Sequence, residues 1–164
     1  MAAGDLARIK ERVSYDPATG DIRWRVSAGT AKCGSIASSV NAFGYGRVKI
    51  DRKHYAAHRI AWALVYGQFP ESDLDHVNGV RTDNRIENLR LATRSENQCN
   101  RGVNKNNTSG QKGVNWNPGV SKWAARCAVN GKRRHLGYFN DLASATLAYK
   151  QAAAEMHGKF FKEA

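Results

Sequence analysis

The chain predicts an α+β fold in which small antiparallel sheets alternate with short helices. Three observations lead there. Short apolar–polar alternations recur between turns rich in Gly, Asn and Asp, the pattern of half-buried strands. Asn130-Gly131 stands between two such runs, a strong tight-hairpin signal. Leu142, Ala145, Tyr149, Ala152 and Met156 line one face of a helix expected from Leu142 to His157, and that alanine-rich stripe lets it lie close on a sheet.

In chain order, Asp5 to Val13 reads as a short helix, with Asp5 as N-cap and Leu6, Ile9 and Val13 on one face. A turn over residues 15–20 leads into a strand from Asp21 to Val26, with Ile22, Trp24 and Val26 on one side. The Gly/Ser-rich stretch from Gly29 to Gly44 reads as loop with a short strand around Ile36. Tyr45 to Ile50 alternates, and Asp51-Arg52-Lys53 turns the chain into residues 54–57. From His58 to Tyr66 the period becomes helical, with Ile60 and Leu64 four apart. Residues 74–101 fit β-β-α: a strand ending at Asp75-His76-Val77, a polar loop, a strand from Leu89 to Ala92, and a helix capped by Thr93 or Ser95 that carries Asn97. Gly102 to Gln111 is a polar, turn-rich linker. Three further strands are expected at Gly113–Asn117, Lys122–Asn130 and Arg133–Phe139. The domains implied are a β-rich lead-in with a helix (1–70), a central core (71–101), a linker (102–111) and a sheet-plus-helix module (112–164).

A chain of 164 residues has room for one medium domain or two small ones, and 41% hydrophobic residues with four Trp and five Phe argue against disorder. The longest strongly apolar run, Ile60 to Tyr66, is too short to cross a bilayer, and the N-terminus lacks the apolar stretch of a secretory signal. A cytoplasmic protein with no membrane partner is expected. Cys33, Cys99 and Cys127 form no Cys-x-x-Cys pair, so neither structural zinc nor disulfides are expected. The net charge of +12 is unevenly spread: residues 1–70 carry 11 basic against 5 acidic side chains, residues 71–100 carry 4 against 6, and residues 101–164 carry 11 against 3. Basic flanks suited to a polyanion enclose a slightly acidic middle suited to a cation.

That middle holds the chemistry. Asp75 can bind a hard divalent cation through oxygen, Asn97 can add a second oxygen, and the adjacent His76 can take a proton from water near neutral pH. Asn88 follows His76 by twelve positions and precedes Asn97 by nine. Neighbours on a regular strand face opposite ways, so bringing Asp75 and His76 to one site requires the strand to end, twist or bulge there.

The run from Leu74 to Thr93, with its Asn-Gly-x-x-x-Asp-Asn-x-x-x-Asn-Leu-Arg pattern, closely resembles the HNH endonuclease family. The resemblance implies a ββα-metal nuclease core and a metal-dependent DNA endonuclease that nicks or cuts the duplex, leaving 5′-phosphate and 3′-hydroxyl ends. It implies Asp75 and Asn97 as ligands of one Mg²⁺ or Mn²⁺, His76 as general base, and Asn88 as the amide that ties the loop and so orients His76. Many relatives have a final His where this chain has Asn97, and neutral oxygen ligation favours Mg²⁺ or Mn²⁺ over zinc. His58 recurs in such relatives and reads first as structural.

Residues 110–161 resemble the DNA-binding domain of the plant Apetala and ethylene-response-factor family. The matching positions are Gly113-Val114, Lys122-Trp123-Ala124-Ala125, Leu136-Gly137-Tyr138-Phe139, Ala148-Tyr149 and Ala152-Ala153. This implies a three-stranded sheet in the major groove, with Lys112, Asn115, Asn117, Lys122, Arg126, Arg133 and His135 at the DNA-contact positions. The plant recognition sequence does not transfer, since Asn115, Asn117 and Ala128 replace arginines. The two resemblances together suggest a homing-type endonuclease of mobile elements, many carried by phages, acting on double-stranded DNA as monomer or homodimer. The alternative is a non-catalytic DNA-binding regulator on a decayed nuclease fold, and RNA cleavage is a third option.

Overall fold

The computed structural model describes residues 3–27, 29–104, 106–129 and 131–160. The chain divides into two compact units, residues 1–91 and 92–164. Both are mixtures of small sheets and short helices, four helices in all among the described residues, and no described helix is long and apolar enough to cross a membrane.

The first unit opens with α1 (Ala3–Arg12), followed by β1 (Val13–Tyr15) and β2 (Ile22–Trp24), which pair antiparallel. Asp5 falls inside the first turn of α1 and is not its N-cap. Its carboxylate accepts instead from Lys53 Nζ at 2.7 Å and from Tyr55 Oη at 3.0 Å. β1 was not expected, and the strand expected from Asp21 to Val26 stops at Trp24, where residues 33–37 fold back on it: Gly34 N–H donates to the Trp24 carbonyl, Trp24 N–H to the Ser35 carbonyl and Ala37 N–H to the Ile22 carbonyl. Val26 is left exposed. Part of the Gly/Ser-rich stretch is therefore paired backbone, with a bridge between Arg23 and Ile36.

A three-stranded sheet follows, β3 (Ser38–Val40), β4 (Gly46–Ile50) and β5 (Lys53–Ala56), with β4 central. Along β4, Gly46, Val48 and Ile50 are buried while Arg47 and Lys49 are exposed, the two-residue period of a half-buried strand. The β4–β5 turn holds Asp51 and Arg52 at φ of 47° and 68°, the left-handed pair that a two-residue hairpin requires. Asp51 is tied back to α1 by Arg8 and Arg12. Next comes α2 (Ala57–Tyr66), closed by Gly67 at φ 75°. Its buried face, Ala57 and Ile60, joins Ile9, Val13, Ile22, Val48, Ile50 and Tyr55 in one core. Finally β6 (Asp73–His76) and β7 (Leu89–Ala92) form a two-stranded sheet, joined by a loop ending in a 3-10 turn over Ile86–Asn88.

The second unit contains α3 (Arg94–Cys99), then β8 (Val114–Asn117), β9 (Lys122–Val129) and β10 (Lys132–Phe139), an antiparallel sheet with β9 in the middle, and α4 (Leu142–His157). Asn130 of the expected hairpin lies outside the described residues; Gly131 beside it has φ 76°. Asp141 caps α4, accepting from the Ser144 N–H at 2.8 Å. Ala145, Tyr149 and Ala153 of α4 pack on Val114, Ala125 and Cys127 of the sheet. The fit leaves no room at Gly113, where a Cβ would sit 2.2 Å from the Tyr149 ring, and φ of 72° favours glycine as well.

Candidate active site

The buried polar side chains of the first unit are concentrated between Asp75 and Asn88. Asp75 and His76 are 4% exposed, and Asn84 and Asn88 are 5% exposed. Buried polar groups cost free energy unless they are hydrogen-bonded, so such a cluster has to be built as a network.

Asp75 is paired with Arg90 of the neighbouring strand, whose Nε and Nη2 lie 2.9 and 2.7 Å from Asp75 Oδ2. The strand ends at His76, where the Gly79 N–H turns back onto the His76 carbonyl at 2.8 Å. His76 is covered by the rings of His58, 5.3 Å away in an edge-on contact, and Tyr45, 6.1 Å away. Its Nε2 lies 3.3 Å from Asn84 Oδ1. Burial holds the His76 pKa below the usual histidine value, partly offset by Asn84 and by the charge of Asp75. His58 is pushed down to about 4, chiefly by burial and then by the neighbouring His76. Its Nδ1 is buried without a hydrogen-bond partner.

Asn88 spans the loop. Its Oδ1 accepts from the Asn78 N–H at 2.9 Å and its Nδ2 donates to the Asp83 carbonyl at 2.8 Å. The Val77 N–H donates to the Asn88 carbonyl at 2.9 Å. Asp83 completes the brace: Arg85 grips its carboxylate at 2.7 and 2.9 Å, Asn78 donates to it at 2.7 Å, and its pKa is held down at about 2. Arg81 reaches the other way, its guanidinium 4.8 Å from the Tyr45 ring centroid and donating to the Phe43 carbonyl at 2.6 Å.

Asn97 belongs to the second unit. It sits in α3, which Thr93 and Glu96 start with a capping box: the Glu96 N–H donates to Thr93 Oγ1 at 3.2 Å, and the Thr93 N–H to Glu96 Oε2 at 2.7 Å. Among the described residues no group of three or more His, Cys, Asp and Glu side chains is placed to hold a metal. Asp75 and Asn97 each carry side-chain oxygen, the donor chemistry that suits a hard cation such as Mg²⁺ or Mn²⁺.

In the second unit, strand register gathers the expected DNA-contact residues on one face. Arg126 pairs with His135, Ala128 with Arg133, Asn115 with Ala124 and Asn117 with Lys122, and cross-strand partners share a face. Cys127 and Ala125 point to the opposite side, into the core. Arg126, Arg133, His135, Asn115 and Lys122 are exposed. Lys112 is set differently: half-buried, its ammonium donates to the carbonyls of Cys99 and Arg101 and closes the end of α3. The free thiols of Cys99 and Cys127 are buried, and that of Cys33 is exposed. Sequence reasoning assigned no role to Asn84, Tyr45, Arg81 or Arg90. Arg90 stands in the Asn-Leu-Arg triplet, but only its hydrogen bonds in the folded chain show it meeting Asp75.

Residues 55–99 match the HNH endonuclease family, so this chain carries an HNH endonuclease domain, a nuclease class whose substrate is DNA. The match takes in His58, Asp75, His76, Asn84, Asn88, Arg90 and Asn97. Over 104 residues, 63% of this chain and 85% of its relative, the chain is 32% identical to Protein 3.8 of Escherichia phage T7. It belongs to the family of that phage protein. No solved structure gives a significant match.

Proposed function

We propose that the protein is a metal-dependent endonuclease that nicks or cleaves double-stranded DNA, with His76 as general base. What supports this best is the surroundings of His76. It is buried, kept neutral at physiological pH by the loss of solvation, and hydrogen-bonded at one ring nitrogen. A neutral, oriented imidazole accepts a proton from water; the resulting hydroxide attacks phosphorus, the bond to the 3′ oxygen breaks, and that oxygen takes a proton from solvent, leaving 5′-phosphate and 3′-hydroxyl ends. Asp75 and Asn97 would hold one Mg²⁺ or Mn²⁺, which would stabilise charge on the phosphate and on the leaving oxygen. Asn88 keeps the loop closed behind His76.

The exposed face of β8–β10 is the proposed DNA reader, in the manner of an Apetala-type sheet in the major groove. Arg126 and Arg133 reach guanine edges or phosphates, Asn115 and Asn117 reach adenine, and Lys122 and His135 complete the face. Lys112 supports the module by holding α3. This arrangement suits a homing-type enzyme acting inside a bacterial host cell, nicking as a monomer and cutting both strands as a homodimer.

The test is plasmid DNA incubated with purified protein and Mg²⁺ or Mn²⁺. Nicks should form, a chelator should stop them, and His76→Ala should slow cleavage by ~10²–10⁴ while DNA binding persists. Equal cleavage by the variant removes His76 as base. One observation favours a second reading, a non-catalytic DNA-binding protein on a nuclease fold: Arg90 already occupies an oxygen of Asp75. That reading expects a gel shift and uncut plasmid with every ion.

A further inference from the structure

Asn84 has no part in the chemistry described so far, yet the first unit is built to fix it. Its Nδ2 donates to the Thr82 carbonyl at 3.2 Å, which settles that the oxygen end of its carboxamide faces His76. An oxygen 3.3 Å from Nε2 accepts a hydrogen bond there, so the neutral ring carries its proton on Nε2 and its lone pair on Nδ1. The backbone of the same residue is clamped from the N-terminal lead-in. Tyr15 Oη at the end of β1 donates to the Asn84 carbonyl at 2.8 Å. Gly20, at φ 79° in the β1–β2 turn, lies so close that a Cβ would stand 2.7 Å from Arg85 N and 2.9 Å from the Asn84 carbonyl carbon. Gly46 of β4 comes against the side chain, where a Cβ would be 3.4 Å from Asn84 Nδ2. Closing the loop does not require these contacts, because Asn88 already does that. The stretch from Tyr15 to Gly20 holds the backbone of Asn84, Gly46 lies against its carboxamide, and that carboxamide touches His76.

We propose that Asn84 is a positioning residue for His76, its Oδ1 holding the Nε2–H tautomer so that Nδ1 is the basic atom, with β1 and the β1–β2 turn as its brace. This rests on the reading of His76 as general base. It gives the lead-in a task inside the nuclease unit, where sequence alone offered none.

Two substitutions in the full-length protein separate the roles of Asn84. Asn84→Leu keeps much of the volume and removes the acceptor; Asn84→Asp keeps an oxygen facing the ring. The first readout is the Nε2-bound proton of His76, observed as a one-bond ¹H–¹⁵N correlation and independent of catalysis. It should be present in the parent and in Asn84→Asp, and lost to solvent exchange in Asn84→Leu. The second is plasmid nicking with Mg²⁺. Asn84→Leu should be slower by ~10-fold or more and Asn84→Asp within about threefold of the parent, the range typical of groups that orient a reacting side chain. An unchanged Nε2 proton in Asn84→Leu overturns the proposal. So does loss of that proton with no loss of rate. If the proton responds as expected but none of the three proteins cuts DNA, the nuclease reading fails and the assignment of the ring stands. Should Asn84→Leu not fold, Tyr15→Phe removes only the anchor on the carbonyl; it should broaden the Nε2 proton and slow nicking, and no change in either overturns the brace.

Discussion

His58→Phe makes the first unit less sensitive to acid, and the size of the effect follows from the burial of that histidine. In the folded protein the His58 pKa is pushed down to about 4, mainly by loss of solvation between the Tyr45 and His76 rings. In the unfolded chain it returns to ~6.5. Between those values the unfolded state holds a proton that the folded state refuses, so stability rises with pH across the window and falls as the solution is acidified from 6.5 towards 4. A difference of ~2.5 in pKa corresponds to about 3 kcal/mol over the whole window, and most of it is already lost by pH 4.5. Phenylalanine fills a similar space, takes up no proton and removes the buried, unpartnered Nδ1, so at pH 7 the substitution should be neutral or slightly stabilising. Urea titrations followed through the amide signals of α2 report this unit alone. With m near 1–3 kcal/mol per molar, the parent midpoint should drop by ~1–2 M urea from pH 7 to pH 4.5. The variant should lose much less. Asp83, held at about 2, titrates below this window and does not confuse it. If His58→Phe shows the same acid sensitivity as the parent, the burial argument for His58 is wrong.

Other perturbations separate the parts of the molecule. Tyr15→Phe removes the hydrogen bond to the Asn84 carbonyl and should cost about 1 kcal/mol, read from the same urea titrations; a value near zero would mean that water replaces the phenol at no cost. Gly113→Ala sets a methyl group against Tyr149 at a left-handed φ and should destabilise the second unit by about 2–5 kcal/mol, seen as early melting of α4 amides with α2 unaffected. Arg126→Ala should make the slope of log affinity against log salt shallower by about 0.9 if the guanidinium meets phosphate, and fluorescence anisotropy with duplex DNA measures it. Unchanged affinity and slope would remove that face of the sheet from the interface.

Much of the fold was legible because local pattern and tertiary use agree. The alternation over β4, the left-handed Asp51-Arg52 turn and the apolar stripe of α4 each follow from one short stretch of sequence. The departures arise where a distant segment captured a local group. Asp5 suits an N-cap, but Lys53 and Tyr55 hold its carboxylate. Val26 continues an alternating strand, but residues 33–37 claim the backbone beside it. Lys112 stands beside a sheet expected to touch DNA, and it faces the carbonyls that end α3. Asn84 is the sharpest instance. An asparagine in a loop rich in Gly and Asp reads as a turn former, and only the contacts from Tyr15 and Gly20, more than sixty positions earlier, distinguish it.

Asp75 and His76 are adjacent on a strand, which poses a geometric difficulty. Alternation turns neighbouring side chains to opposite faces, and β6 obeys it: Asp75 meets Arg90 across the two-stranded sheet, while His76 meets Tyr45, His58 and Asn84. The strand ends at His76. Both faces are covered, so two polar residues in succession are buried on a segment where one would ordinarily face water. That double cover is costly unless each side chain has its own partners, and each does. It also explains why the unit needs β4, α2 and the lead-in around so short a motif. Asp75 draws its support from β7, within the motif itself, whereas His76 draws on residues as far away as Tyr15. Substitutions in residues 15–58 should therefore disturb His76 first and leave the Asp75–Arg90 pair in place.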